Sequence, residues 1–538
     1  MSETRTSTGG YAGTGALVRL ALRRDRLLIP LSVLGLVALA GGGAKSTVDL
    51  YQGQEAVDAA KALLASPAIM GMYGPITNPD NPDSFAIFKT LLMGAVCLAL
   101  LAIVLVRRHT RTEEEAGRTE LVLAGAVGRR APLTAAVLVA AGTVLLTSVL
   151  AALSLISAGL GSRGALAFGA AWASAGLAFT GVTAVAAQLT TTTRGCGAWA
   201  FGALGLAYLL RAVGDTASGG ANALTWLSPL GWAEKIEVYG DDRFAVGLLP
   251  LAVTVLLIGA AYAVQERRDF GSGLLATRPG PARAAPSLRS PWALAWRLQR
   301  ANLLGWLVGF AVLGTVLGGV AGSVASIASS EQMQDLLHKL GGDAGSLTDT
   351  FIYTELQFLA VAAAAYGISA ALRLRSEEAD QHTEQVLATT TRRGQILASH
   401  AVIALFGSAL LMVMLTLAIA VGAREQYGGF GGALGHLLPS ALALVPPVWV
   451  CVGLALALFG SAPKIVYIAW ALLALFVVVG EFGSVFNLPR PLINVSPFVH
   501  AVVLPGTSVV ATPLLVLLAI AVALLVGSDA TFRRRDVG

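Results

Sequence analysis

Two stretches of this 538-residue chain concentrate side chains able to do charge-based work. The first holds Glu113, Glu114, Glu115, Arg118, Glu120 and Leu123. The second holds Glu377, Glu378, His382, Glu384 and Leu387. Carboxylates beside an arginine or histidine, with a short apolar segment, suit a docking surface for another protein. The pattern is duplicated. Thr119-Glu120-Leu121-Val122-Leu123-Ala124 returns as Thr383-Glu384-Gln385-Val386-Leu387-Ala388, behind Glu114-Glu115-Ala116 in one case and Glu377-Glu378-Ala379 in the other. Both copies precede an arginine pair, Arg129-Arg130 and Arg392-Arg393. A single copy reads as a solvated helix with local ion pairs worth about 0.3–0.5 kcal/mol each. Two copies in a chain poor in charge weigh for an interaction site. In this alignment Asp380-Gln381-His382 replaces Gly117-Arg118, with one extra residue in the second copy.

Other chemistries lack their residues. A phosphate-cradling loop needs Gly-x-x-x-x-Gly-Lys-Ser/Thr. The nearest match, Gly41-Gly42-Gly43-Ala44-Lys45-Ser46-Thr47, fails at Ala44. His109, His338, His382, His400, His436 and His500 are scattered, without metal-ligand spacing. Cys97, Cys196 and Cys451 lie far apart in apolar runs and read as small buried hydrophobes. Lys89 and Glu355 fall near the ends of apolar runs. Asp215 and Glu481 fall at matching positions and read as interfacial groups that snorkel or pair. No catalytic cluster and no acid in mid-run is visible, which weighs against an enzyme and against a proton-driven carrier.

The elements that must carry these residues follow from composition. Hydrophobic residues make up 55% of the chain and charged residues 13%, against about 25% charged in a soluble domain. Soluble enzymes, disordered chains and nucleic-acid binders are excluded, although the pI is near 9.3. Apolar runs long enough to cross a bilayer fall at 27–44, 85–106, 132–160, 164–189, 196–214 and 244–264. A second set falls at 302–327, 353–374, 397–422, 436–460, 464–482 and 509–527. In lipid such runs must be helices. The expected fold is therefore all-α and polytopic, with about twelve spans.

Of 37 Lys and Arg, 27 lie in one set of loops and 8 in the other. The positive-inside rule puts the first set, with both termini and both acidic loops, in the cytoplasm. The stretches Pro67 to Pro82 and Leu224 to Trp232 then face outward as candidate short helices. A Pro-, Arg- and Gly-rich segment, 265–291, reads as a linker between a half at 1–264 and a half at 292–538. Further echoes support duplication of a six-helix unit, related by an axis along the membrane normal. Ser228-Pro229 matches Ser496-Pro497, and Arg267-Arg268-Asp269-Phe270-Gly271 matches Arg534-Arg535-Asp536-Val537-Gly538.

The acidic motif, Glu-Glu-x-Gly-Arg-x-Glu-Leu-x-Leu-Ala before a hydrophobic helix, resembles the first cytoplasmic loop of ABC-2 type transporter permeases. With its two halves the chain looks like the permease of actinobacterial exporters of polyketide antibiotics. The resemblance implies that the loop is a coupling helix docked on an ATPase. That role would fall to Glu114, Glu115, Arg118, Glu120 and Leu123, and to Glu377, Glu378, Glu384 and Leu387. It also implies an amphipathic helix before the first span, which suits Arg19, Arg23 and Arg26; Arg297 and Arg300 repeat the pattern before the seventh. The second and fifth helices of each half would line the cargo path. Phe85, Phe88, Met93, Trp199 and Tyr208 are its candidates in the first half, and Phe351, Tyr353, Phe358, Tyr467 and Trp470 in the second. Helix packing or an interfacial aromatic belt is the plainer account of these side chains.

The expected function is the membrane permease of an ATP-driven exporter of hydrophobic compounds, in a bacterial cell membrane. Such a chain is a transport subunit without a nucleotide site of its own. ATP and Mg would be held by two copies of a separate ATPase subunit, and no nucleic acid is involved. The rival expectation is an ion-coupled multidrug carrier with two six-helix halves.

Overall fold

A computed structural model describes residues 7–50, 67–216, 223–269, 271–275, 283, 285–328, 344–482, 489–501 and 510–535. The fold is all-α. Eleven helices among the described residues are long and apolar enough to cross a membrane, and a shorter apolar one covers Ile468–Gly480. The chain divides into two compact units, Met1–Gly280 and Pro281–Gly538.

The first unit carries six apolar helices: Leu28–Leu50, Pro82–His109, Ala131–Ser157, Ser162–Leu189, Thr193–Thr216 and Leu248–Glu266. Their ends follow local rules. Asn81 caps the second span by accepting from the Asp83 amide at 3.0 Å, with Pro82 at the first helical position. Arg107, Arg108 and His109 close the same helix, where cations complement its dipole. Several hydroxyls inside the spans bond back to carbonyls four residues earlier, as those of Thr143, Thr147, Thr180 and Thr183 do, which satisfies these donors within their own helices. The core centres on Trp172, fully buried, whose indole donates to the Leu91 carbonyl at 2.9 Å. The short helices expected in 67–82 and 224–232 are present as Pro67–Tyr73, Ala223–Trp226 and Pro229–Glu234.

The second unit carries Pro291–Ala328, Ala344–Ala379, Arg393–Gly422, Phe430–Ala443 with Val445–Ser461, Ile468–Phe482 and Ala511–Arg534. Its tenth span is interrupted at Leu444, where Pro446 and Pro447 lack the amides that would continue the helix. The amphipathic lead-in is built differently in the two units. In the first it is a separate helix, Thr14–Arg24, broken from the span at Asp25. In the second, Arg297 and Arg300 lie in one 38-residue helix that continues into the span.

Hydrogen bonds assign the loops of each unit to two ends. At the near end of the first unit, Arg24 reaches Glu113, Arg130 reaches Tyr11 and Arg268 reaches Glu114. At its far end, Asn81 donates to the Tyr239 carbonyl and the Gly161 amide donates to Asp83. In the second unit Arg535 meets Glu378 at the near end, while Tyr427 and His436 meet Asp349 at the far end. Part of the linker 265–291, the side chain of Glu481, and the residues His338 and Asp536 to Gly538 lie outside the described residues.

Candidate functional site

Each acidic loop folds into a short helix, Arg118–Leu123 in the first unit and His382–Leu387 in the second. Each is entered through one residue in the left-handed region: Gly117 at φ 69° and Gln381 at φ 59°. Glycine takes that conformation without penalty, whereas a residue with a Cβ pays about 1–2 kcal/mol. Gln381 therefore holds its strained backbone because the contacts around it demand the same turn.

Those contacts are the same in kind. Glu113 receives two bonds from Arg118, at 2.8 and 2.9 Å, and Glu377 meets His382 at 3.2 Å. Glu114 is held by both guanidinium nitrogens of Arg268, at 2.8 and 3.0 Å, and Glu378 by Arg535 at 2.6 Å. Arg129 donates to the Arg268 carbonyl at 2.5 Å, and Arg393 donates to that of Arg535. The structure therefore equates Glu113-Glu114-Glu115 with Glu377-Glu378-Ala379, and Gly117-Arg118 with Gln381-His382. The extra residue expected in the second copy disappears under this register. Sequence matching had aligned the wrong pair of glutamates, because three consecutive acids in the first copy allow either choice.

The geometry also corrects which side chains a partner would meet. Glu113 and Glu114 are turned into the protein; the Glu114 side chain is 9% exposed and that of Arg268 is 3%. Arg111, fully buried, adds an ion pair to Glu114 at 2.9 Å. Glu115 is spent on the amide of Thr193 at 2.8 Å, an acid set at the N-terminus of the fifth span. In the second unit Glu377 and Glu378 are likewise largely buried in ion pairs. What stays exposed is Glu115 and the short helix with Arg118, Glu120 and Leu121 in one unit, and Asp380 and the short helix with His382, Glu384 and Gln385 in the other. Leu123 and Leu387 are half-buried, whereas Leu121 is 78% exposed. Arg268 and Arg535 were visible in the sequence as a repeated Arg-Arg-Asp, but nothing in that repeat said what it would clasp.

The two short helices stand over equivalent cavities. The first, of about 60 Å³, is lined by residues that include Leu20, Arg24, Val122 and Ala135; the second, of about 230 Å³, by residues that include Leu298, Val386, Ser399 and His400. The lead-in helix is strapped differently in each unit. Buried Asp25 binds His109 at 2.6 Å and Arg108 at 2.9 Å. The second unit instead pairs Gln299 with His400 at 2.9 Å.

The aromatic candidates for a cargo path divide by burial. Phe85, Phe88 and Tyr353 are buried within their own units, and Phe351 is half-buried against the core of the second. Met93, Trp199, Phe358, Tyr467 and Trp470 are exposed. Tyr208 is half-buried; its hydroxyl donates to the Met72 carbonyl at 2.9 Å, and the Arg211 guanidinium sits 4.7 Å from its ring centroid. Of the matched acids, Asp215 is buried and paired with Arg211. Cys196 and Cys451 are buried, Cys97 is half-buried, and all three are free.

Comparison with known proteins bears on the whole chain. The family model described as the C-terminal domain of the multidrug efflux system permease Rv1217c matches residues 18–264 and 288–533. The multidrug efflux system permease protein Rv1217c of Mycobacterium tuberculosis strain H37Rv is 39% identical over 531 residues, which cover 98% of this chain and 96% of that protein.

Proposed function

The chain belongs to the family of the multidrug efflux system permease Rv1217c, and from that premise we propose that it is the membrane permease of an ATP-driven, ABC-2 type exporter of hydrophobic compounds. It is a multi-pass bacterial membrane protein of efflux-permease type. The observation that carries the finer reading is the duplicated near-end knot. In each unit the segment leading into a short exposed helix is fixed by a buried carboxylate to an arginine just past the last helix of the same unit. Such a helix transmits a push from a docked subunit to the spans, because buried charge-assisted pairs do not yield as exposed ones do.

On this reading two ATPase subunits, carrying ATP and Mg, dock on Arg118, Glu120, Leu121 and Leu123 and on His382, Glu384 and Leu387. Glu114, Glu115, Glu377 and Glu378 position these helices from behind. The near end faces the cytoplasm. Cargo passes along the second and fifth spans of each half, where exposed Met93, Trp199, Phe358, Tyr467 and Trp470 offer apolar contact. Antibiotics of polyketide type fit such a lining by their size and lipophilicity.

The reading is tested by charge reversal at both helices, E120K with E384K. The double variant is expected to fold normally and to lose co-purification with, and stimulation of, its cytoplasmic ATPase. Unchanged stimulation would sink the docking assignment. An ion-coupled carrier has one observation in its favour, the buried acids Asp215 and Glu234. It requires efflux to persist without ATP under an ion gradient.

A further inference from the structure

At the far end of the first unit, three separate segments converge on one buried guanidinium. Arg211, in the fifth span, has no exposed surface. Its Nη2 donates to the Gly71 carbonyl at 2.6 Å and its Nη1 to the Met70 carbonyl at 3.3 Å. The same Nη1 reaches Asp215 at 3.4 Å and Glu234 at 3.2 Å. Pro67–Tyr73 and Pro229–Glu234 are thereby both pinned to Thr193–Thr216. Thr225 donates to the other Asp215 oxygen at 2.9 Å, and Ser228 donates to the Ala207 carbonyl at 2.7 Å.

The charges in this cluster do not balance. Two carboxyls share one guanidinium, and Glu234 is 8% exposed. Its Oε2 has no hydrogen-bond donor among the described residues, and neither has Arg211 Nε an acceptor. The Asp215 and Glu234 carboxyls meet at a single nitrogen, Arg211 Nη1, at 3.4 and 3.2 Å. Two carboxylates so close in a dry site would repel, and a proton on one of them removes the repulsion.

We propose that Asp215 and Glu234 together hold one proton, and that this proton latches the far-end segments of the first unit onto its fifth span. With the proton in place the cluster is neutral and each segment stays seated. Without it, a dry site holds two negative charges against one positive, and the strain is relieved by Glu234 leaving with the helix that carries it. Burial, foremost, and Asp215 push Glu234 well above the usual carboxylate range, although Arg211 pulls it back. Facing groups are few: Arg211, Asp215 and Tyr208 from the fifth span, and Lys235 beside it in the chain. The neighbouring spans and loops bring Asp83, which accepts from Gly161, exposed Lys89, Arg163 paired to Asp242, and Arg243 paired to Asp241 and Glu237.

The sign follows from linkage. A carboxyl whose folded-state value is raised binds its proton more tightly in the folded form. Latch stability is therefore fully present below the ordinary carboxylate range and is lost as pH rises through the raised value. The second unit has no such device in its sequence. The register that matches Asp215 to Glu481 puts Val477 opposite Arg211, and the register of Ser228 with Ser496 puts Val502 opposite Glu234. On the efflux reading this latch lies on the exit side of one half only.

The test uses the full-length permease in lipid nanodiscs, without ATPase. Infrared difference spectra across an alkaline titration are expected to show a protonated-carboxyl band that vanishes as pH rises. That band is absent in E234Q, shifted in D215N and retained in E355Q, a half-buried acid elsewhere. A single cysteine placed by M72C, in a background with the three native cysteines replaced by serine, reports opening. Its maleimide labelling is expected to accelerate several-fold at alkaline pH, and to stay flat when E234Q is added. A band unaffected by E234Q, or the same pH dependence of labelling in E234Q, overturns the proposal. Neither readout involves ATP or a partner, so failure of the exporter reading leaves this result standing, and the reverse.

Discussion

Single arginines decide how firmly each exposed helix is held. Arg268 and Arg535 do equivalent work, but Arg268 is the drier: its side chain is 3% exposed against 15% for Arg535. Removing one partner from a buried pair leaves an uncompensated charge, which costs about 3–5 kcal/mol. Arg268→Gln still leaves Arg111 on Glu114, so a loss near the lower end, about 3 kcal/mol, is expected. Arg535→Gln is expected to cost less than Arg268→Gln, because Arg535 is the more exposed arginine and holds Glu378 by one bond, where Arg268 holds Glu114 by two. Thermal unfolding of the purified permease checks the order, and equal losses would contradict the burial argument. The acids of both loops were legible in the sequence, since charge is scarce and their pattern repeats. Their partners were not: Arg268 lies 154 residues beyond Glu114 and Arg535 157 beyond Glu378. Nothing local in the chain distinguishes an acid aimed at solvent from one aimed at such an arginine. Glu234 was missed for the same reason, because its meeting with Arg211 is made only when the loop helix folds back on the fifth span.

Helices were the most legible elements, since length and hydropathy suffice where lipid forbids an unpaired backbone. Their close approaches were not, because they depend on which glycine faces which ring. A Cβ built on Gly94 of the second span would lie 1.8 Å from the Trp172 ring, and one on Gly407 would lie 2.3 Å from the Tyr366 hydroxyl. Each unit thus seats one large buried aromatic of one span on a glycine of its neighbour, which lets the helices pack closely without a hydrophobic drive from water. Gly94→Ala is expected to destabilise the first unit by roughly 1–3 kcal/mol, through the ring movement it forces. Gly142 has open space at the same atom, so Gly142→Ala is expected to leave the melting temperature unchanged or raise it. A fall for both would mean that glycine at these positions serves the backbone rather than the packing.

The two units share a plan and differ in their fastenings, and this is where the whole molecule is informative. The near-end knot is duplicated, down to a left-handed entry residue that in one copy is glutamine. The Asp25–His109 strap and the far-end Arg211 cluster belong to the first unit, and the Asp349–Tyr427–His436 cluster to the second. Duplication explains the shared knot, because both halves meet the same kind of demand at that end. It also explains why the sequence repeat was detectable there and weak elsewhere. The proposed placement of that end in the cytoplasm rests on 27 basic residues in one loop set against 8 in the other, and it makes a prediction for the intact cell. With the three native cysteines replaced by serine, single cysteines are introduced at Leu121 and Gln385, exposed at the near end, and at Asp80 and Glu425, exposed at the far end. A membrane-impermeant maleimide is expected to label D80C and E425C on whole cells, and L121C and Q385C only after permeabilisation. Labelling of L121C on intact cells would invert the chain, put both short helices beyond reach of ATP, and remove the ground for a cytoplasmic motor.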